Sequence, residues 1–205
     1  MVASATTFLS SWISFGTNNR KTTHRLFFSS LYTTFVGRMK ICIKEKDIQE
    51  AAAQGYGAFV DLLVQRTTDA IGGELTAETM PLLNAEQITL LAYQTVRQEV
   101  MEGGFIQLIH NGYGPFIFLN PFAKAMRLWG AREFSKLIYE GRKLYEKHAS
   151  ELTKDCSDEE FMALYEQFEA FDELDDSFIE MEEDVTEIVA HYVDENLNNF
   201  VEVEK

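Results

Sequence analysis

The helical pattern that decides the fold lies in residues 84–112, which read NAEQITLLAYQTVRQEVMEGGFIQLIHNG. Asn84 is a favourable helix N-cap, and Gln87, three residues later, completes the reciprocal capping pattern. Apolar or small side chains then recur at spacings of three and four, at Ile88, Leu91, Ala92, Thr95, Val96 and Val100. This period predicts an amphipathic helix that buries one face.

Two successive glycines, Gly103 and Gly104, interrupt this helix and predict its end or a kink. One interpretation is a tight corner, in which the glycines allow close approach and nearby polar groups satisfy exposed backbone ends. The alternative is a small polar pocket. Its candidate residues are Glu99, Gly103, Gly104, Phe105, Gln107, His110 and Asn111. No nucleophile–base pair accompanies them, which favours the corner.

The rest of the chain carries mostly helical signals. Capped starts or apolar periods of three and four predict helices over 46–71, 120–130, 131–149, 157–171 and 177–192. Two of these helices are expected to start at capping boxes, at Ser157 and at Ser177. The one stretch of period-two alternation is Phe116–Leu119. We therefore predict an all-α, compact bundle of six or seven helices that ends in an acidic C-terminal helical pair.

Charge is distributed very unevenly along the 205 residues, whose net charge is −15. Residues 1–38 hold four basic residues and no acid, and residues 39–150 are nearly balanced. Residues 151–205 hold 2 basic and 20 acidic residues. This balance excludes non-specific affinity for nucleic acid and a polybasic membrane anchor. The 46% hydrophobic content excludes a wholly disordered chain.

The first 38 residues differ in composition from the remainder. They hold 13 Ser or Thr and lack the apolar core and cleavage site of a signal peptide. Their composition loosely suits an organelle transit peptide, but we expect Met39 to be the natural start. Residues 1–38 are then a disordered leader or a wrongly assigned start, and residues 39–205 are a single all-helical domain. Only two cysteines and no long apolar window indicate a cytoplasmic protein.

Sequence motifs for catalysis or cofactor binding are missing. The chain has no glycine-rich phosphate loop, no nucleophile elbow, no HExxH and no CxxC. Glu187 and His191 share a helix face at i,i+4, but a lone pair of this kind is usually a local side-chain contact. We expect neither an enzyme nor a bound metal or cofactor.

The Gly-Gly segment also resembles a known family. Glu99-Val100, Gly103-Gly104-Phe105 with Gln107, and Asn111-Gly112 are similar to the hallmark of the DMP19-like family (DUF4375). The start of the helix that precedes this motif, at 83–91, and the segments 174–178 and 193–200 also fit the family. The resemblance therefore extends over about residues 75–200. Glu102 departs from the pattern, where the family often carries asparagine. The resemblance implies a bacterial, all-helical and often dimeric protein that mimics DNA by occupying the DNA-binding surface of a transcription factor.

The acidic tail is the candidate partner-binding face. Its carboxylates recur at spacings of three and four, and the predicted set is Glu166, Glu169, Asp172, Glu173, Asp176, Glu180, Glu183 and Glu187. If residues 151–205 fold into two antiparallel helices about 40 Å long, their 20 carboxylates give one negative charge per roughly 2 Å of length. Duplex DNA carries one negative charge per ~1.7 Å of its axis. The expected partner is a basic DNA-binding protein, a transcription factor or a histone-like protein, rather than nucleic acid or membrane.

Two other functions remain open from the sequence. The acidic face could be a solvated surface of a generic structural or interaction domain. A small helical enzyme or ligand-binding domain could instead use the polar groups of the Gly-Gly corner, which would have to converge in a concave pocket.

Overall fold

The computed structural model describes residues 39–205, which form eight α-helices and two short strands. The helices are α1 (Glu45–Gln54), α2 (Tyr56–Ala70), α3 (Ala85–His110), α4 (Gly114–Phe118), α5 (Phe122–Leu128), α6 (Arg132–Leu152), α7 (Asp158–Gln167) and α8 (Asp172–Glu195). The strands are β1 (Cys42–Lys44) and β2 (Glu202–Glu204). The predicted all-α bundle is confirmed, and the expected leader at 1–38 lies outside the described residues.

Local capping chemistry sets several of the helix starts. The Asn84 side chain accepts a hydrogen bond from the Gln87 amide at 2.9 Å, and Gln87 reaches back to the Asn84 amide. Ser157 and Glu160 form the same reciprocal pair at the start of α7. The reciprocal caps predicted at Asn84 and Ser157 are therefore confirmed. They succeed because a cap depends only on residues within one turn.

Two local predictions were wrong. The helix expected over 46–71 is two helices, because Gly55 breaks it with a φ of 122° that favours glycine. Ser177 does not begin a helix but lies inside α8, where its hydroxyl donates to the Glu173 carbonyl at 2.7 Å. The stretch at Phe116, which shows the one period-two pattern of the sequence, lies in the short helix α4.

Helix α3 runs through the centre of the molecule, and α8 packs against α2, α3 and α6. The contact between α3 and α8 includes a buried hydrogen bond of 2.6 Å between the hydroxyls of Tyr93 and Thr186. Aromatic rings fill the space beneath: Phe178 lies 5.7 Å from Phe134 and 6.4 Å from Phe105, measured between ring centroids. Because α8 is anchored on several sides, its outward face has a fixed position.

The two strands join the first and last parts of the described chain. β1 and β2 pair in parallel, with Cys42 opposite Glu202 and Lys44 opposite Glu204. These strands were not predicted from the sequence. Ile41 and Val201, which flank them, are buried in the same core as the helices. Within residues 39–205, no helix is both long and apolar enough to cross a membrane.

Candidate functional site

Helix α3 changes direction at the Gly-Gly pair, as the sequence predicts. Gly103 adopts φ −162° and ψ 23°, and Gly104 adopts φ 73° and ψ −178°. Neither conformation is helical, so backbone groups at the kink lose their partners within the helix. The Gly103 carbonyl accepts a hydrogen bond from the Tyr165 hydroxyl at 2.8 Å. The Phe105 amide donates to the Asp175 carboxylate, also at 2.8 Å.

The kink is therefore the point at which both acidic helices are held. Tyr165 belongs to α7 and Asp175 to α8, and each contributes one polar side chain to the freed backbone of α3. Helix α7 has no fully buried residue, so this hydrogen bond is one of its few specific attachments. The glycine motif thus determines where the acidic part of the chain lies.

The Asp175 side chain explains why residue 104 is glycine. A Cβ atom at Gly104 would lie 2.2 Å from the carboxylate of Asp175. The positive φ with an extended ψ is also a conformation that glycine alone adopts readily. Burial raises the pKa of Asp175 to about 6, the hydrogen bond from Phe105 acts in the opposite direction, and Asp172 and Asp176 add to the rise.

Asp175 was not among the site residues predicted from the sequence. It lies among acids on the same helix, but in α8 it is in phase with the buried residues Thr186 and Val193 rather than with the exposed carboxylates. That phase is the one sequence signal that could have identified it. Its partner, the Phe105 amide, is 70 residues away in the chain, so no local pattern could have supplied the contact.

Three of the predicted corner residues come together. The Glu99 carboxylate accepts hydrogen bonds from the side-chain amides of Gln107 at 3.3 Å and Asn111 at 2.8 Å. Glu99 precedes the kink and the two amides follow it, so the cluster braces the bend. His110 points elsewhere: its ring lies 4.7 Å from Phe161, and Nδ1 is 3.0 Å from the Leu152 carbonyl.

The seven predicted corner residues do not all converge on one site. Phe105 is fully buried in the core, and His110 faces α7 rather than Glu99. A groove of about 290 Å³ lies between α3 and α8 instead. It is lined by Gln94, Arg97, Gln98, Met101, Glu102 and Glu182, a set that includes none of the predicted pocket residues.

All eight predicted acidic-face residues are exposed: Glu166, Glu169, Asp172, Glu173, Asp176, Glu180, Glu183 and Glu187. Six of them lie on α8, and at about 100° per residue they fall within a sector of about 100°. We call these six, Asp172, Glu173, Asp176, Glu180, Glu183 and Glu187, the acidic stripe. Glu166 lies in α7 and Glu169 in the turn that precedes α8.

The opposite face of α8 anchors the stripe outward. Leu174, Phe178, Val185, Val189 and Val193 are all buried in the core. The chain contains no lysine or arginine between Lys154 and Lys205, so no cation of α7 or α8 interrupts the carboxylates. Asp194, which the predicted set omitted, extends the stripe by being exposed and in the same phase.

Glu187 and His191 show the local contact expected at i,i+4, with the His191 Nε2 atom 3.6 Å from the Glu187 carboxylate. Tyr56 completes this contact, its ring 5.2 Å from that of His191. Among residues 39–205, no group of three or more His, Cys, Asp or Glu side chains is arranged to hold a metal ion.

Comparison with known proteins confirms the family resemblance seen in the sequence. The DMP19-like protein family matches residues 81–196, which include the kink and the whole acidic stripe. A relative from Neisseria meningitidis serogroup B, named DNA mimic protein DMP19, is 32% identical over 127 residues. That alignment covers 62% of this chain and 77% of the relative. The chain therefore belongs to the DMP19-like protein family.

Proposed function

We propose that this protein is a DNA mimic whose acidic stripe occupies the DNA-binding surface of a basic DNA-binding protein. The observation that carries the proposal is the stripe itself: six exposed carboxylates on one face of a well-anchored helix, with no cation on α7 or α8 among them. The name of the Neisseria relative supports the same role. The partner is a transcription factor or a histone-like protein, which would place the protein in the bacterial cytoplasm.

Geometry and charge support this role. The six carboxylates of the stripe extend about 22 Å along α8, and with Asp194 the row extends about 33 Å, which is close to one turn of duplex DNA at ~34–36 Å. Attraction between such a surface and a basic protein should speed association and weaken steeply with salt. A homodimer, which the family resemblance implies, would present a second stripe. Light scattering of the purified protein measures the oligomeric state.

A competition assay tests the proposal. The partner is isolated from the native lysate by pull-down at low salt, and its operator DNA is labelled for a gel shift. We expect the wild-type protein in excess to displace the DNA at ~0.1 M salt, where screening is moderate. If it never displaces the DNA, the mimic proposal is wrong and the stripe is a solvated surface.

A matched pair of variants separates the stripe from total charge. The stripe variant carries Glu173→Gln, Asp176→Asn, Glu180→Gln and Glu183→Gln. The control carries Glu45→Gln, Glu74→Gln, Glu133→Gln and Glu140→Gln, four exposed acids outside α7 and α8. Both remove four negative charges. We expect only the stripe variant to lose competition through slower association, and equal losses would contradict a defined binding face.

A further inference from the structure

Two exposed aromatic side chains lie beside the last carboxylate of the acidic stripe. Helix α2 begins at Tyr56, directly after the break at Gly55, and packs against α8. The Tyr56 ring is 46% exposed, and its centroid lies 5.2 Å from that of His191. His191 follows Glu187 by four residues, so it lies at the edge of the sector of α8 that the stripe occupies. This end of the acidic face therefore carries aromatic rings as well as carboxylates.

The Glu187 carboxylate lies close to both rings. One of its oxygens is 3.6 Å from Nε2 of His191, and its hydrogen bonding and charge raise the pKa of the Tyr56 hydroxyl. The side chains of Glu187 and His191 are 48% and 59% exposed, so a partner can reach them. Within residues 39–205, no lysine or arginine forms an ion pair with Glu187. A cation from another protein would therefore meet a carboxylate and an aromatic ring together.

This combination favours a guanidinium over an ammonium group. A planar guanidinium can stack on a tyrosine ring and donate to a carboxylate at the same time, whereas an ammonium group is a compact point charge. The contact with His191 restricts the Tyr56 ring, so less side-chain freedom is lost when a cation stacks on it. Carboxylates attract any cation, and the ring adds the preference for arginine.

We infer that Tyr56 and Glu187 together bind an arginine side chain of the partner protein. This contact rests on the proposed function, since DNA-binding proteins present arginines at the surface that meets DNA. Long-range attraction by the stripe sets the rate of association. The stacked ring acts only at short range, so Tyr56 slows dissociation of the complex and determines which cation is preferred.

The test uses the full-length protein and two fluorescein-labelled peptides, one of nine arginines and one of nine lysines. Anisotropy titrations at ~0.1 M salt give the affinity for each peptide and the ratio of the two affinities. Tyr56→Leu should weaken binding of the arginine peptide about two- to fivefold and binding of the lysine peptide less, so the ratio should fall. These measurements require neither DNA nor the natural partner.

Two further variants serve as controls, and circular dichroism checks that each variant is folded. Tyr56→Phe keeps the ring and should keep the wild-type ratio, which separates stacking from the hydroxyl group. Tyr139→Leu removes a tyrosine that is 44% exposed on α6, outside the stripe, and should also leave the ratio unchanged.

Three results would overturn the arginine contact: a wild-type ratio in Tyr56→Leu, an equal fall of the ratio in Tyr139→Leu, or an equal fall in Tyr56→Phe. The mimic role fails separately, when the protein never displaces DNA from its partner. With a captured partner, Tyr56→Leu should speed dissociation about two- to fivefold at an unchanged association rate, whereas the stripe variant should slow association. A wild-type dissociation rate in Tyr56→Leu would overturn the contact even where DNA is displaced.

Discussion

Replacing Gly104 with alanine tests the role of the corner most directly. The residue has φ 73° and ψ −178°, a conformation that costs other residues about 1–3 kcal/mol. The new methyl group would also lie 2.2 Å from the Asp175 carboxylate. Asp175 must then turn away from the Phe105 amide, and a lost buried hydrogen bond of this kind costs about 1–3 kcal/mol. We expect Gly104→Ala to lower the free energy of unfolding by about 2–5 kcal/mol.

Gly103→Ala is the matched control. Its φ of −162° is extended backbone that any residue adopts. An added Cβ would meet the side-chain amide of Gln107, which can swing away at the expense of a 3.3 Å hydrogen bond to Glu99. We expect a cost of about 1 kcal/mol. Urea unfolding followed by circular dichroism gives both values.

A double-mutant cycle separates backbone strain from the clash. In an Asp175→Ala background, Gly104→Ala should cost only the strain, so the two changes should show a coupling of about 1–2 kcal/mol. A Gly104→Ala protein as stable as Gly103→Ala, or a coupling near zero, would refute the conclusion that Asp175 and Gly104 form one structural unit.

Three further predictions concern the acidic helices. Burial raises the pKa of Asp175 to about 6, so the Asp175 carboxyl group binds a proton more tightly in the folded state than in the unfolded state. Protonation of Asp175 should therefore stabilise the fold as the pH falls from above 6 towards 4. After allowance for partial solvent access, the free energy of unfolding should rise by about 1 kcal/mol between pH 7 and pH 5. Asp175→Asn should abolish this rise in urea unfolding at the two pH values, and the same pH dependence in the variant and the wild type would contradict the prediction. Tyr165→Phe should lower the free energy of unfolding by about 0.5–1.5 kcal/mol and speed amide hydrogen exchange in α7 but not in α8. An equal change of exchange rate in both helices would show that Tyr165 does not hold α7. The stripe variant with its four substitutions should be about 1 kcal/mol more stable than wild type in urea unfolding, because it relieves repulsion between carboxylates three and four residues apart. A loss of stability would mean that these carboxylates make favourable contacts.

Local sequence patterns determined a large part of this structure. The caps at Asn84 and Ser157, the break at the Gly-Gly pair and the outward stripe of α8 each depend on residues within a few turns of one helix. Helical periodicity was sufficient to place the six stripe carboxylates on one face, because the apolar residues between them had to turn towards the core.

Local patterns did not predict the structure correctly where the same residue pattern occurs in two kinds of structure. The Ser177 pattern resembles a cap, but capping requires non-helical backbone before it, and the preceding residues already belong to α8. The short helix α4 showed no helical period in the sequence, because Phe116, Ile117 and Phe118 are all buried and a helix covered on every side has no polar face to reveal its period.

The sequence alone determined the helical class, the kink and the acidic stripe, because these depend on spacing along the chain. Only the tertiary structure decided what the kink holds: Asp175 reaches the Phe105 amide and Tyr165 the Gly103 carbonyl, across 70 and 62 residues. It also decided that β1 pairs with β2. Contacts between distant segments depend on how helices pack, and no local period encodes that packing.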